Sequence, residues 1–117
     1  MILRIDTGSN EKIDISFLEG KDVLLQESIE AKHRQSEKLL PFIDELLSKS
    51  NKSIDDVEKI MVNDEGEGFS SLRIGVITAN ALAYALGIEV TNFNNKNIKS
   101  DLFTMVEPKY SQEPNIG

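Results

Sequence analysis

The chain contains no cysteine, no tryptophan and a single histidine, His33, among its 117 residues. Disulfide bonds and cysteine-based zinc sites are therefore excluded, and any metal site would need carboxylates for most of its ligands. Basic residues are also few, with 13 Lys and Arg against 20 Asp and Glu and a formal net charge of −7. Such a chain lacks the basic surface that broad contact with nucleic-acid phosphates requires, so any role in a nucleic-acid pathway is expected to depend on a protein partner.

Long hydrophobic runs are absent as well, because Arg73, Thr78 and Asn80 interrupt the most apolar stretch. Charges at Arg4 and Asp6 come too early for the apolar region of a signal peptide. The composition, with 39% hydrophobic and 28% charged residues, is that of an ordinary globular domain. We therefore expect one domain in the cytoplasm, without membrane contact.

Apolar and polar residues alternate near the start of the chain. The alternation predicts strands over 2–5, 13–17 and 23–25, separated by turns at 6–10 and 19–21. Strands joined by turns this short pair in antiparallel fashion, so the first 25 residues are expected to form a three-stranded meander.

The pattern then becomes helical over 35–49, where the apolar residues fall within an arc of roughly 160°. Pro41 is expected to bend this helix or to mark a start near it. A Ser53 cap with acidic residues behind it predicts a short helix. A strand over 60–62, a helix over 72–86 ending at Gly87 and a strand over 88–90 complete a mixed α/β layer fold, followed by a loop and a tail with Pro108 and Pro114.

Two turns could carry chemistry. The loop 63–71 lies before a helix, where phosphates commonly bind, but Asp64, Glu65 and Glu67 bring negative charge, and the lysine and spacing of a P-loop are missing. These carboxylates either complement the helix dipole or hold Mg²⁺. Asp6, Thr7 and Gly8 resemble a nucleotide-phosphate turn of some ATPases, but a hairpin turn is the favoured interpretation. His33 is interpreted as a surface residue.

The helix over 72–86 is apolar nearly all round and must be covered on most sides. Gly75, Ala79 and Ala83 form a stripe of small side chains that lets another helix come close. This stripe either packs on the helix 35–49 of the same chain, or both helices also offer a shared apolar face to a partner.

The segments 69–76 and 83–88 resemble the signature of the TsaB family, also called YeaZ, and 2–7 and 33–47 resemble the family's opening strand and first helix. The resemblance covers 1–91, which we take as a TsaB-like N-terminal domain, with 92–117 as loop and C-terminal tail. It implies a single-domain α/β fold of the actin-like, sugar-kinase and ribonuclease H-like type.

The resemblance further implies a non-catalytic subunit, without cofactor or bound metal, in the synthesis of threonylcarbamoyladenosine on tRNA. Such a subunit pairs with its catalytic paralogue TsaD, the ATPase TsaE joins the assembly, and tRNA is contacted only indirectly. The two helices would form an interface with TsaD or, when the chain is alone, with a second copy. The interface candidates are Leu39, Leu40, Ile43, Leu47, Leu72, Gly75, Ala79, Leu82 and Ala83. Replacing Ala79 by Leu is expected to abolish pairing while leaving the fold intact.

Two features depart from the family pattern. The family loop reads Gly-Pro-Gly-Ser-Phe-Thr-Gly where this chain has the acidic segment 65–71, and most of a second domain is missing although 106–110 resembles the family's closing tail. A compact form that lacks the second domain is expected, which puts TsaE contact in doubt. The alternatives are an Mg-ATP-binding or ATP-hydrolysing enzyme that uses Asp6 and the carboxylates of 64–67, and a homodimer with a separate role.

Overall fold

The computed structural model describes residues 1–98, which form one five-stranded sheet with two α-helices. The strands are β1 (Ile2–Asp6), β2 (Lys12–Glu19), β3 (Asp22–Glu30), β4 (Lys59–Val62) and β5 (Glu89–Thr91), and the helices are α1 (Gln35–Lys49) and α2 (Phe69–Leu86). The tail with Pro108 and Pro114, and the segment 106–110 that resembles a family tail, lie outside the described residues.

The strands lie in the order β3-β2-β1-β4-β5. β1 pairs with β2 and β2 with β3 in antiparallel fashion, whereas β1 with β4 and β4 with β5 are parallel. The predicted meander is therefore confirmed, although β3 has nine residues where three were expected. β5 begins one residue later than predicted and, within the described residues, pairs with β4 alone.

One face of the sheet carries the hydrophobic core. Alternate side chains of the three central strands are completely buried beneath the helices, namely Leu3, Ile5, Ile13, Ile15, Phe17, Ile60 and Val62. The residues between them are more polar, and the guanidinium of Arg4 lies 3.9 Å from the centre of the Phe93 ring. Burial of the alternating apolar residues thus selects the face on which both helices pack.

α1 has the predicted bounds and buries Leu39, Phe42, Ile43, Leu46 and Leu47. Pro41 lies inside the helix and is exposed, so the prediction of a helix start near it is wrong. The short 3₁₀-helix over Ile54–Asp56 confirms the predicted cap, because the Ser53 Oγ accepts a bond from the Asp55 amide and the Asp56 carboxylate accepts one from the Ser53 amide.

Ion pairs support α1 at both ends. The Arg34 Nε donates to Glu37 Oε1 at 2.8 Å, and this bond lowers the pKa of Glu37 below its usual value. At the other end the Lys49 ammonium donates to Glu27 of β3 at 2.5 Å, which raises the pKa of Lys49. α1 is therefore tied by charge to the first edge strand of the sheet.

α2 begins at Phe69, three residues before the predicted start, and ends where Gly87 adopts a left-handed conformation with φ of 67°. Its early start was not visible in the sequence because its N-cap, Gly68, offers no capping side chain. By length and composition α2 is apolar enough to cross a membrane, contrary to our expectation. α2 packs on the sheet and on α1, and one third of its residues, 33%, are buried inside the domain.

Candidate functional site

The turn 6–8 connects β1 and β2. The Asp6 carboxylate accepts a hydrogen bond from the Gly8 amide at 2.9 Å, and the buried Thr7 hydroxyl donates to the Ser71 carbonyl of α2 at 2.6 Å. Because β1 and β2 pair antiparallel on either side, the hairpin interpretation is confirmed. The Thr7 hydroxyl is thereby committed to holding the helix.

The loop 63–68 packs directly on this turn. The Asn63 side-chain amide donates to the Asp6 carboxylate at 2.9 Å, and the Glu67 amide donates to the Gly8 carbonyl at 3.2 Å. A Cβ at Gly66 would lie only 2.7 Å from the Gly8 carbonyl oxygen, so the approach of the two backbones requires glycine there. Each loop fixes the conformation of the other.

A cleft of about 310 Å³ opens beside the two loops. Among residues 1–98, its wall includes the carboxylates of Asp6, Asp14 and Glu67 but only one cation, Lys12. This charge balance disfavours a phosphate group. The residues of the predicted nucleotide turn line this cleft. The negative charge of the cleft disfavours the binding of a nucleotide phosphate there.

The carboxylates after β4 do not assemble into a metal site. Within residues 1–98 no group of three or more His, Asp or Glu side chains is close enough to hold a metal ion. Asp64 is instead buried, 5% exposed, and its carboxylate accepts a bond from the Asn92 amide at 3.1 Å. Within residues 1–98 the segment 64–67 therefore takes part in no cluster of three such ligands.

Gly75, the first residue of the stripe of small residues in α2, has a different neighbour from the one expected. A Cβ at Gly75 would overlap the Thr7 hydroxyl, so Gly75 faces the turn after β1 and allows the helix to approach the sheet. Ala79 and Ala83 are 0% and 3% exposed. The idea that Gly75 and Ala79 set the distance between paired helices is corrected, because both lie inside the core of their own chain.

The other predicted interface residues divide by burial. Leu39, Ile43, Leu47 and Leu72 belong to the core, whereas Leu40 is 52% exposed and Leu82 is half-buried. Leu40 and Leu82 border an apolar cleft of about 230 Å³ between the helices, whose floor is made by Ile43, Leu47 and Ile54. We call these five residues the helix cleft. Ile54 was missed, although it directly follows the cap residue Ser53 in the sequence.

An exposed aromatic residue was also missed. Tyr84 of α2 is 91% exposed, and no charged residue occurs between Arg73 and Glu89. The uncharged run is visible in the sequence, but only the fold shows that Tyr84 points away from the core. The outer side of α2 therefore adds an exposed apolar surface that is separate from the helix cleft.

Comparisons with known proteins agree with this architecture. A family model described as TsaD, tRNA N6-adenosine threonylcarbamoyltransferase, matches residues 27–98, which is more than half of the chain. The tRNA threonylcarbamoyladenosine biosynthesis protein TsaB of Bacillus subtilis is 31% identical over 90 residues, covering 77% of this chain and 39% of its own.

Solved structures show the same fold. YeaZ from Pseudomonas aeruginosa matches with a TM-score of 0.71 at 23% identity, covering 78% of this chain and 42% of that protein. RuvC of T. thermophilus, solved with a Holliday junction substrate, matches with a TM-score of 0.52 at 14% identity, covering 79% and 62%. The predicted α/β fold of the actin-like and ribonuclease H-like type is thus confirmed.

The chain spans only about two fifths of the length of the TsaB and YeaZ relatives. The region 27–98 that the family model matches contains both helices, the loop 63–68 and the strands β4 and β5. The chain therefore belongs to the family that this model describes and, within it, to the TsaB/YeaZ proteins.

Proposed function

We propose that this chain is a non-catalytic subunit that binds and stabilises a TsaD-type catalytic partner in the biosynthesis of threonylcarbamoyladenosine on tRNA. The observation that carries the proposal is the helix cleft, an apolar depression between α1 and α2 that its own fold leaves open. Its relationship to TsaB supplies the pathway.

The helix cleft has the chemistry of a helix-binding groove. Leu40 and Leu82 stand on its two sides, Ile43, Leu47 and Ile54 form its floor, and Asp44 is the one charged residue on its wall. An apolar side chain from a partner helix could fill it and remove Leu40, 52% exposed, from water. The interface we propose is therefore centred on Leu40 and Leu82, with the buried candidates supporting it from below.

The non-catalytic role is supported by the acidic cleft beside the hairpin turn. Asp6 is bonded to Gly8 and Asn63, and Thr7 is bonded to Ser71, so neither side chain is held ready for a reacting group. The net charge of −7 also disfavours direct contact with tRNA. On this proposal the partner binds the tRNA and performs the chemistry, and TsaE joins the assembly through the partner.

The experiment is size-exclusion chromatography with light scattering, on the chain alone and mixed with TsaD from the same organism. We expect a one-to-one complex in the mixture and a self-dimer when the chain is alone. Leu40→Asp should abolish the complex, because it places a charge at the rim of an apolar interface. Leu24→Asp is the matched control, since Leu24 of β3 is 48% exposed but does not line the helix cleft.

Two outcomes would contradict the proposal. If the wild-type chain forms no mixed complex, the partner is not a TsaD-type protein, and a stable self-dimer would then support the separate homodimer role. If both variants bind as the wild type does, the interface lies elsewhere. Calorimetry with Mg-ATP tests the enzyme alternative, because saturable heat would contradict a non-catalytic, nucleotide-free subunit.

A further inference from the structure

A small polar pocket lies on the face of the sheet opposite the two helices. Its volume is about 80 Å³, and it is lined by Arg4, Asp6, Asp14, Ser16, Gln26 and Phe93. The first five of these residues belong to the three neighbouring strands β1, β2 and β3, and Phe93 follows β5. In the pairing of β1 with β2, Arg4 lies directly opposite Ser16, and Asp6 lies directly opposite Asp14. We call this site the open-face pocket.

Two polar groups of the open-face pocket lack a bonding partner among residues 1–98. Ser16 is buried, 5% exposed, and in this part of the chain its hydroxyl makes no hydrogen bond. The Arg4 guanidinium lies against the Phe93 ring, 3.9 Å from its centre, but forms neither a hydrogen bond nor an ion pair with the described residues. A buried polar group that makes no hydrogen bond lowers stability, so its presence beside an unpaired cation points to a ligand that bonds to both.

The carboxylates of Asp6 and Asp14 form a second pair in the same pocket. This pair lies two residues further along the strands than the pair of Arg4 and Ser16, which is a distance of about 7 Å. Each carboxylate accepts two hydrogen bonds from its own fold, Asp6 from Gly8 and Asn63, and Asp14 from Gln26 and Ser28. Because a carboxylate can accept about four hydrogen bonds, both keep the capacity to bind a cationic group.

We propose that the open-face pocket binds a free α-amino acid with a short side chain. The carboxylate of the ligand accepts hydrogen bonds from the Arg4 guanidinium and the Ser16 hydroxyl. Its ammonium group donates to the carboxylates of Asp6 and Asp14. The two charged groups of an α-amino acid are joined through a single carbon atom, so with charge-assisted hydrogen bonds of about 2.8 Å at each end the ligand spans the roughly 7 Å between the two pairs.

The size and charge of the pocket select this ligand over other small molecules. Pockets for drug-sized ligands and cofactors have volumes of about 300–1,000 Å³, so a site of about 80 Å³ is too small for a nucleotide. One guanidinium faces two carboxylates, so a ligand that carries only negative charge is repelled. A ligand that carries only positive charge leaves the Arg4 guanidinium and the Ser16 hydroxyl without partners. A small zwitterion satisfies all four groups.

The first test is an NMR titration of the isotope-labelled full chain with glycine. We expect saturable shifts at the backbone amides of Arg4, Asp6, Asp14 and Ser16, with a Kd between about 10 μM and 10 mM, as suits a ligand of so few atoms. Acetate and methylamine each keep only one of the two charged groups and should bind at least about tenfold more weakly. Inorganic phosphate should cause no saturable shift at these amides. The absence of saturable shifts with glycine would overturn the proposal, and so would acetate or methylamine binding as tightly as glycine.

The second test compares matched variants in the same titration. Ser16→Ala and Arg4→Met should each weaken glycine binding by about tenfold or more, because each removes a donor to the ligand carboxylate. Ser70→Ala and Arg34→Met make the same changes at exposed positions outside the pocket and should leave the Kd unchanged. Ser16→Ala should also keep the fold, which the amide spectrum of the free variant checks. If all four variants bind glycine as the wild type does, the ligand does not occupy the open-face pocket. The titrations contain no TsaD, so their result is independent of the proposed function.

Discussion

α1 and α2 lie on the same face of one sheet and each buries six residues, yet their outer sides differ completely. α1 exposes Glu37, Asp44, Glu45 and Lys49, whereas the exposed residues in the second half of α2 are Ala81, Tyr84 and Ala85. α1 is thus an ordinary amphipathic helix whose polar side suits water. α2 satisfies the core of its own domain and still presents an apolar outer side.

The difference shows where this domain is incomplete. A helix with one polar side needs only the sheet beneath it, whereas an apolar helix in water needs cover on its flanks. α2 has the helix cleft on one flank and, on the other, an apolar depression lined by Val76, Tyr84 and Val90. α1 supplies most of the lining of the helix cleft, whereas α2 supplies Leu82 and a second apolar surface on its outer side.

The largest change in the free energy of unfolding is expected for a substitution on the buried side of α2. Ala79→Leu should lower the free energy of unfolding by about 3 kcal/mol, because a fully buried alanine leaves no room for three more carbons. This corrects the expectation that the variant would keep its fold and lose only its pairing. Chemical denaturation measures the effect, and Ala85→Leu on the exposed side of the same helix should change stability by less than about 0.5 kcal/mol. Equal effects at 79 and 85 would contradict the assigned faces of α2.

The next largest change in the free energy of unfolding is expected in α1, where a substitution should stabilise the protein. Pro41→Ala should raise the free energy of unfolding by about 2 kcal/mol, because proline inside a helix removes one backbone hydrogen bond and crowds the preceding turn. Thermal and urea unfolding measure the gain. Glu45→Ala, at another exposed position of α1, is the control and should change stability by less than about 0.5 kcal/mol. A Pro41→Ala variant no more stable than the wild type would show that α1 has adapted to its proline.

A smaller effect is expected where α2 meets the hairpin turn. Gly75→Ala should cost about 1–2 kcal/mol, because the new methyl group displaces the Thr7 hydroxyl from the Ser71 carbonyl and the better helix propensity of alanine offsets only part of the loss. In a Thr7→Ala background the same change should cost much less. A double-mutant cycle by urea denaturation gives the coupling between the two sites. Additive effects would mean that Gly75 and Thr7 do not meet.

The smallest change in stability is expected from the ion pair between Lys49 of α1 and Glu27 of β3. The pKa of Lys49 is raised by Glu27, so the pair contributes its full stability below the ordinary lysine pKa and loses it as the pH rises through the higher folded value, above about pH 10. Wild-type stability should therefore fall slightly more steeply in that range than the stability of Lys49→Met. Parallel curves would show that this exposed pair contributes nothing.

Sequence reasoning was most successful where the signals were local. The bounds of α1 follow from apolar periodicity alone, and the cap at Ser53 follows from one hydroxyl and two carboxylates. The start of α2 was missed because Gly68 has no side chain to signal a cap. The role of Gly75 could not be predicted either, since Thr7 is 68 positions away in the chain and only the packed fold brings the two residues together. For the same reason the less buried members of the proposed interface, Leu40 and Leu82, could not be separated from the buried ones.

The place of β1 in the sheet has a consequence for how the chain is made. The first strand is the central one, held by β2 on one side and by β4, residues 59–62, on the other. At a synthesis rate of about 5–20 residues per second, roughly 3–12 seconds pass between the synthesis of β1 and the synthesis of β4. During that time the hairpins of β1, β2 and β3 can already form, because their contacts are local. The second edge of β1 stays unpaired until β4 has been synthesised. The speed of translation through the first half of the message therefore determines how long the backbone groups at this edge can pair with a wrong strand.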